Sequence, residues 1–227
     1  MSKKKITKHQ NDLTTFIVLC ARKYNKRGCK NIPLTPITKR QVLIDIQIKN
    51  INSVFTNSEI IIISGFEHDL IVNHIHNQKY TNVRIIENQL YTQSSIIDGW
   101  KIGLNAAVQQ NTYIIHGDRL FSTSCLLNDN SNSYLLTHKY DKQNYNLGIT
   151  TKNNYELMNM SYGLHNVWSE ICFIAKNDFD IARNILNRSE QYKLYSIEHF
   201  INCLSTKIPI MIYNKNNKDI QTIGELI

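Results

Sequence analysis

Between Thr15 and His116, short runs of β-branched and apolar residues alternate four times with longer segments of helical spacing. Thr15–Ala21 (T-F-I-V-L-C-A) and Glu59–Ser64 (E-I-I-I-I-S) are too short for helices and too uniformly apolar to keep a solvated face, so they read as strands buried on both sides. Asn82–Ile86 and Thr112–His116 complete the set of strands. Gln41–Val54 places Val42, Leu43, Ile46 and Ile51 near helical spacing, and Phe66–His76 and Ser94–Val108 also read as helices. Strands separated by helices pair through right-handed crossovers. The pattern therefore predicts a Rossmann-like α/β fold, with a mostly parallel sheet and helices on both faces. Ligands of such sheets sit beyond the carboxyl ends of the strands, so the loop after Ala21 and the residues after His116 are expected to face one crevice.

The pattern changes in the second half. Ser133–His138 and Tyr145–Thr150, with a turn at Asp141–Asn144, predict an antiparallel hairpin. Val167–Ala175 and Ile208–Tyr213 read as strands, Phe179–Leu186 and Ile197–Leu204 as helices. The expectation is one domain over residues 15–227, its second half a small antiparallel α+β part, behind a basic disordered tail at 1–14. A chain of 227 residues buries roughly 70% of its unfolded surface and needs neither disulfides nor metal merely to fold. No apolar run approaches the ~20 residues of a membrane span, and no apolar signal core follows the first lysines, so a cytoplasmic protein without a membrane partner is expected. The five cysteines are widely spaced and include no C-x-x-C pair, which argues against zinc binding and thiol exchange and for reduced thiols.

The net charge of +8 is concentrated: residues 1–50 hold 12 Lys and Arg against 2 Asp and Glu, the remainder 14 against 16. Lys3, Lys4, Lys5 and Lys8 read as a solvated end. Arg22, Lys23, Lys26, Arg27 and Lys30 follow the first strand directly, where cations on a loop can neutralise a triphosphate. Only Gly28 accompanies them, and neither G-x-G-x-x-G nor G-x-x-x-x-G-K-[ST] occurs. No aromatic platforms are interleaved with these cations, so nucleic acid is not an expected partner. Asp118, in Y-I-I-H-G-D, stands just past a buried strand, where a carboxylate can hold Mg²⁺ against nucleotide phosphates; a turn cap or a pair with Arg119 is the plainer alternative. His116 reads as structural, and His74 and His76 as surface residues. Asp219, in K-D-I-Q-T-I-G-E-L-I, precedes a helix start capped by Thr222 and Glu225 and is a candidate second carboxylate for that Mg²⁺.

Several pieces, taken in order, carry a resemblance: Leu19-Cys20-Ala21; Lys30 with Pro33 and Leu34; V-L-I-D-I-Q-I from Val42 to Ile48; I-I-I-I-S-G-F-E-H-D from Ile60 to Asp69; V-R-I-I-E-N-Q-L-Y from Val83 to Tyr91; G-D at Asp118; and D-I-x-T at Asp219. The chain resembles nucleotidyltransferases of the nucleotide-diphospho-sugar transferase superfamily, especially sugar-1-phosphate nucleotidylyltransferases and choline-phosphate cytidylyltransferases. Arg22, Lys23 and Tyr24 occupy the place of that family's G-x-G. Ala21–Ile32 is instead similar to the A-R-x-G-S-K-x-x-x-K-N-I loop of CMP-sialic acid and CMP-Kdo synthetases. The resemblance implies Mg²⁺-dependent transfer of NMP from an NTP to a sugar phosphate, phosphocholine or acidic sugar, with release of pyrophosphate. It implies catalytic roles for Lys26, Lys30 and Asp118, and substrate contacts for Arg22, Arg27, Asn88, Ser94 and Ser95. Metal ligation falls to Asp118 and Asp219, which are then expected close together across the crevice, and a homodimer is compatible with the resemblance. The alternative is a non-catalytic binding or structural descendant of the same fold.

Overall fold

The computed structural model describes residues 13–23, 31–108, 111–127, 131–139, 146–153 and 155–223. The alternation becomes β1 (Thr14–Leu19), α1 (Leu43–Val54), β2 (Ser58–Ser64), α2 (His68–Gln78), β3 (Val83–Glu87), α3 (Ile96–Ala106) and β4 (Asn111–His116). These four strands are parallel in the order β3-β2-β1-β4. Leu19 stands level with Ile63 on one side and His116 on the other, so three strands end together.

Successive strand residues point to opposite faces, and this sorts the core into two layers. Phe16, Val18, Ile60, Ile62, Tyr113 and Ile115 pack with Ile44, Ile48 and Ile51 of α1 and with Ile71 and Ile75 of α2. Ile17, Ile61, Ile63 and Ile114 face the other way, against Ile97, Trp100 and Leu104 of α3. Each helix begins with a carboxylate on its own first turn: Asp98 accepts from Ser95 N–H at 2.7 Å, and Asp45 from Val42 N–H at 3.1 Å. The other oxygen of Asp45 accepts from Tyr80 at 2.9 Å and meets His74 Nε2 at 2.8 Å, so His74, expected at the surface, joins α2 to α1.

The second half adds β5 (Arg119–Phe121), β6 (Ser133–Lys139), β7 (Leu147–Lys152), β8 (Glu156–Tyr162), β9 (Asn166–Ile174), α4 (Lys176–Asn187), α5 (Ile197–Ser205), β10 (Ile210–Lys215) and β11 (Ile220–Thr222). The sheet continues past β4 as β9-β6-β10-β8-β7, nine strands among the described residues. β9 is antiparallel to β4 and β6, and β10 is parallel to β6 and antiparallel to β8. Phe179 of α4 and Phe200 of α5 join Trp100 beneath the sheet.

The hairpin expected from Ser133–His138 and Tyr145–Thr150 does not form. β6 lies between β9 and β10, while β7 pairs with β8. The burial pattern explains the difference: Ser133 to Thr137 are all buried and need neighbours on both edges, whereas β7 buries only Gly148 and Ile149. β8 has no counterpart in the sequence reading because a register shift between Thr150 and Thr151 breaks its alternation, leaving Leu157 and Met160 as its buried residues.

β1 begins at Thr14, inside the segment read as a tail; residues 1–12 lie outside the described residues. β11 pairs with β5 in a separate two-stranded ladder, and Glu225 lies outside the described residues. Cys20, Cys125 and Cys172 are buried, unbridged thiols. Among the described residues no helix is long and apolar enough to cross a membrane.

Candidate functional site

The level ends of β1, β2 and β4 form the floor of a crevice of about 470 Å³, with Leu19, Ile63 and His116 lining it. Three glycines let the backbone close around it. A Cβ on Gly65 would lie 2.6 Å from Tyr91 Cβ, and one on Gly117 would lie 2.7 Å from both Cys20 Sγ and the Leu19 carbonyl. At Gly99 the nearest atom would be Leu19 Cδ2 at 3.3 Å, so α3 brings its first turn against the end of β1. That turn, with Ser95 and Ile96, forms one wall.

Four of the residues assigned to substrate meet here: Arg22, Asn88, Ser94 and Ser95 all line the crevice. Asn88 is buried, and its side chain organises the loop between β3 and α3. Its Nδ2 donates to Ser94 Oγ at 2.7 Å, and its Oδ1 accepts from Leu90 N–H at 3.2 Å. Ser95 precedes α3 with its hydroxyl donating to Asp98 at 3.0 Å. Arg22 and Lys23 are exposed at the mouth, with Lys23 Nζ 5.6 Å from the centre of the Phe66 ring. Lys23, read with the cations after the first strand, also lines the crevice, as do Tyr91 and Thr92, which the sequence did not single out as site residues. Lys26, Arg27 and Lys30 lie outside the described residues.

Asp118 is buried two residues beyond the end of β4, and among the described residues its Oδ1 has no hydrogen-bond partner, with Arg119 Nε 3.4 Å away. It is joined by two residues that the sequence reading did not assign to the site. Glu170, on β9, accepts from Arg119 Nε at 2.9 Å and from Arg119 Nη2, and its Oε2 lies 2.6 Å from His116 Nδ1. Glu170 reaches them because the ladder between β6 and β9 is irregular there, and the residue itself takes a left-handed conformation with φ of 58°. Burial pushes the Glu170 carboxyl up, but His116 and Arg119 outweigh it and hold it far below the ordinary carboxylate range. His116, read as structural, thus lines the crevice and is bonded to a carboxylate.

Asp219 is placed elsewhere. It accepts from Ser122 Oγ at 2.9 Å and Ser124 Oγ at 3.0 Å, and these bonds, Ser122 first, hold its carboxyl below the usual range, with Lys215 adding to the effect. In the β5–β11 ladder the Asp118 carbonyl receives Ile223 N–H at 2.9 Å, whereas the Asp219 carbonyl receives Ser122 N–H at 2.8 Å. The two aspartates therefore stand at opposite ends of the ladder, separated by four residues of strand or about 13 Å. The structure brings Asp118 together with His116, Arg119 and Glu170, not with Asp219.

No family model matches the sequence, and no curated protein matches it. Solved structures do. CTP:phosphocholine cytidylyltransferase from Streptococcus pneumoniae superposes with a TM-score of 0.76 over 93% of each chain at 12% identity. The inositol-1-phosphate CTP transferase from T. maritima gives 0.65 over 92% of this chain and 88% of its own, also at 12% identity. For 4-diphosphocytidyl-2C-methyl-D-erythritol synthase from Anaerococcus prevotii the values are 0.65, 93%, 91% and 10%. The strand order, the crevice at the strand ends and these superpositions agree: the protein has the nucleotidyltransferase fold.

Proposed function

We propose that the protein transfers NMP from an NTP to a small acceptor, either phosphorylated or an acidic sugar, and releases pyrophosphate. The observation that carries this reading is the convergence of Arg22, Asn88, Ser94 and Ser95 on one crevice at the strand ends, where His116, two residues before Asp118, also lines the wall. Phosphocholine and inositol-1-phosphate, named for two proteins of like fold, are acceptors of the proposed phosphorylated class.

The chemistry asks for positioning and charge neutralisation rather than a covalent intermediate. An acceptor oxygen attacks the α-phosphorus and pyrophosphate departs. Arg22 and Lys23 at the mouth lower the cost of bringing anionic groups together. Asn88, held by Ser94 and Leu90, presents a fixed polar edge to base or acceptor. The first turn of α3, which walls the crevice, adds the positive end of a helix dipole. Lys26 and Arg27 are assigned to the β- and γ-phosphates, and Lys30 to the acceptor, on resemblance. A divalent cation fits Asp118, whose buried Oδ1 lacks a hydrogen-bond partner among the described residues, and bound there it would supply positive charge at the α-phosphate.

Thermal melting with each of the four ribonucleoside triphosphates and Mg²⁺ tests the reading. A ligand that binds only the folded state at a hundredfold its Kd adds about 2.7 kcal/mol, so at least one triphosphate should raise the midpoint by several degrees. No shift with any of the four would leave the non-catalytic alternative.

A further inference from the structure

His116, Asp118 and Glu170 each offer a ligand atom within 4.8 Å of the others. Charge proximity alone would not make this a site, but the hydrogen bonding around it is incomplete in a particular way. His116 and Asp118 are 7% and 6% exposed, yet His116 Nε2 and Asp118 Oδ1 are both buried without a hydrogen-bond partner among the described residues. Leaving such an atom unsatisfied is costly, and two of them on residues two apart at the end of β4 mark a place that a ligand completes. Glu170 Oε2 meets His116 at Nδ1, so it orients the imidazole and leaves Nε2 as the ring atom open to a ligand among the described residues. The left-handed backbone at Glu170 brings this carboxylate to the end of β4. Arg119, touching both carboxylates, supplies the counter-charge that keeps them together in the protein alone.

We infer that His116 Nε2 and Asp118 Oδ1 ligate a divalent cation as a mixed pair of imidazole and carboxylate donors, while Glu170 orients the imidazole through Nδ1. An imidazole nitrogen is a softer donor than Mg²⁺ favours, so the site takes a first-row ion such as Mn²⁺ ahead of Mg²⁺. The use made of the cation rests on the nucleotidyl-transfer reading; its binding rests on this geometry alone.

The test is an electron paramagnetic resonance titration of the full chain with Mn²⁺ and no nucleotide. The unaltered protein should bind one Mn²⁺, displaced by Mg²⁺ only in excess, and the bound ion should show nitrogen modulation in its spin echo from His116, a signature that needs no substitution. Glu170→Gln and His116→Asn, checked for folding by circular dichroism, should each weaken binding by about tenfold or more, while Asp219→Asn stays within about twofold. Absence of stoichiometric binding at millimolar Mn²⁺, a bound ion without nitrogen modulation, or loss of binding with Asp219→Asn but not with Glu170→Gln would overturn the site. Each of these leaves the triphosphate melting shift untouched, so failure of the cation site and failure of the transferase reading are separable.

Discussion

The guanidinium of Arg119 is fastened to the Glu170 carboxylate across 51 residues of chain, Nε donating to Oε2 at 2.9 Å. The contact ties the segment after β4 to β9 at the edge of the crevice. Arg119→Met should destabilise the protein by about 2 kcal/mol in urea unfolding. That is less than the 3–5 kcal/mol of a fully buried pair, because the Glu170 side chain keeps 29% exposure. Adding Glu170→Gln should recover part of the loss, since the uncompensated charge is then gone; unchanged stability in the single variant would mean that solvent already screens the pair.

Gly103→Ala sets two effects against each other. Alanine gains about 1 kcal/mol of helix propensity in α3. Its Cβ, however, would lie 2.5 Å from Ile17 Cγ2 and 2.9 Å from Ile17 Cδ1, in a packed core where overpacking costs about 1–3 kcal/mol. The packing cost should win, lowering the urea midpoint, and a stabilised variant would show that α3 can slide off β1 freely.

At Asn88 the same side chain serves the fold and the crevice. Asn88→Ala removes two hydrogen bonds at a buried position and should cost about 2 kcal/mol. Asn88→Asp keeps an acceptor for Leu90 N–H and can accept from the Ser94 hydroxyl, but it places a negative charge in the crevice. It should fold while losing about tenfold in triphosphate affinity, measured by isothermal titration.

Acid should weaken the protein partly through His138. Burial first, and Arg119 second, hold this histidine below its ordinary value against the opposing pull of Glu170. Because its folded value is depressed, the unfolded chain takes up the proton first, and stability falls as pH drops below the unfolded value of about 6.5. Paired urea titrations at pH 7.5 and 5.5 should show a smaller acid loss in His138→Asn than in the unaltered protein.

Local pattern carried the first half of the fold. Ile60 to Ile63 cannot expose either face, and Val42 to Ile51 has a helical stripe, so those elements follow from their own residues. The second half depended on partners remote in sequence: nothing in Ser133–His138 says that β9 and β10, rather than the next apolar run, will flank it. The site divides in the same way. Asn88, Ser94 and Ser95 sit where a strand end meets a helix start, which the pattern reveals. Glu170 reaches the site through an irregular pairing and a left-handed residue, and no local signal marks a glutamate for that conformation. The separation of Asp219 from Asp118 is fixed by the β5–β11 register, a long-range pairing invisible in either segment.

The position of β10 sets the order in which the sheet can be completed during synthesis. Its residues emerge from the ribosome after those of every other strand of the large sheet, yet its place lies between β6 and β8. A nascent chain that stops short of Ile210 leaves one edge of β6 unpaired and keeps the β7–β8 hairpin tethered only at its ends, through the Gly148–Val167 pairing and the Asn202–Met160 hydrogen bonds among the described residues. Such open edges invite pairing with other chains. The last strand of the large sheet to be made is therefore the one that closes the seam, and C-terminal truncation is a route to aggregation even though it leaves the crevice-forming strands intact.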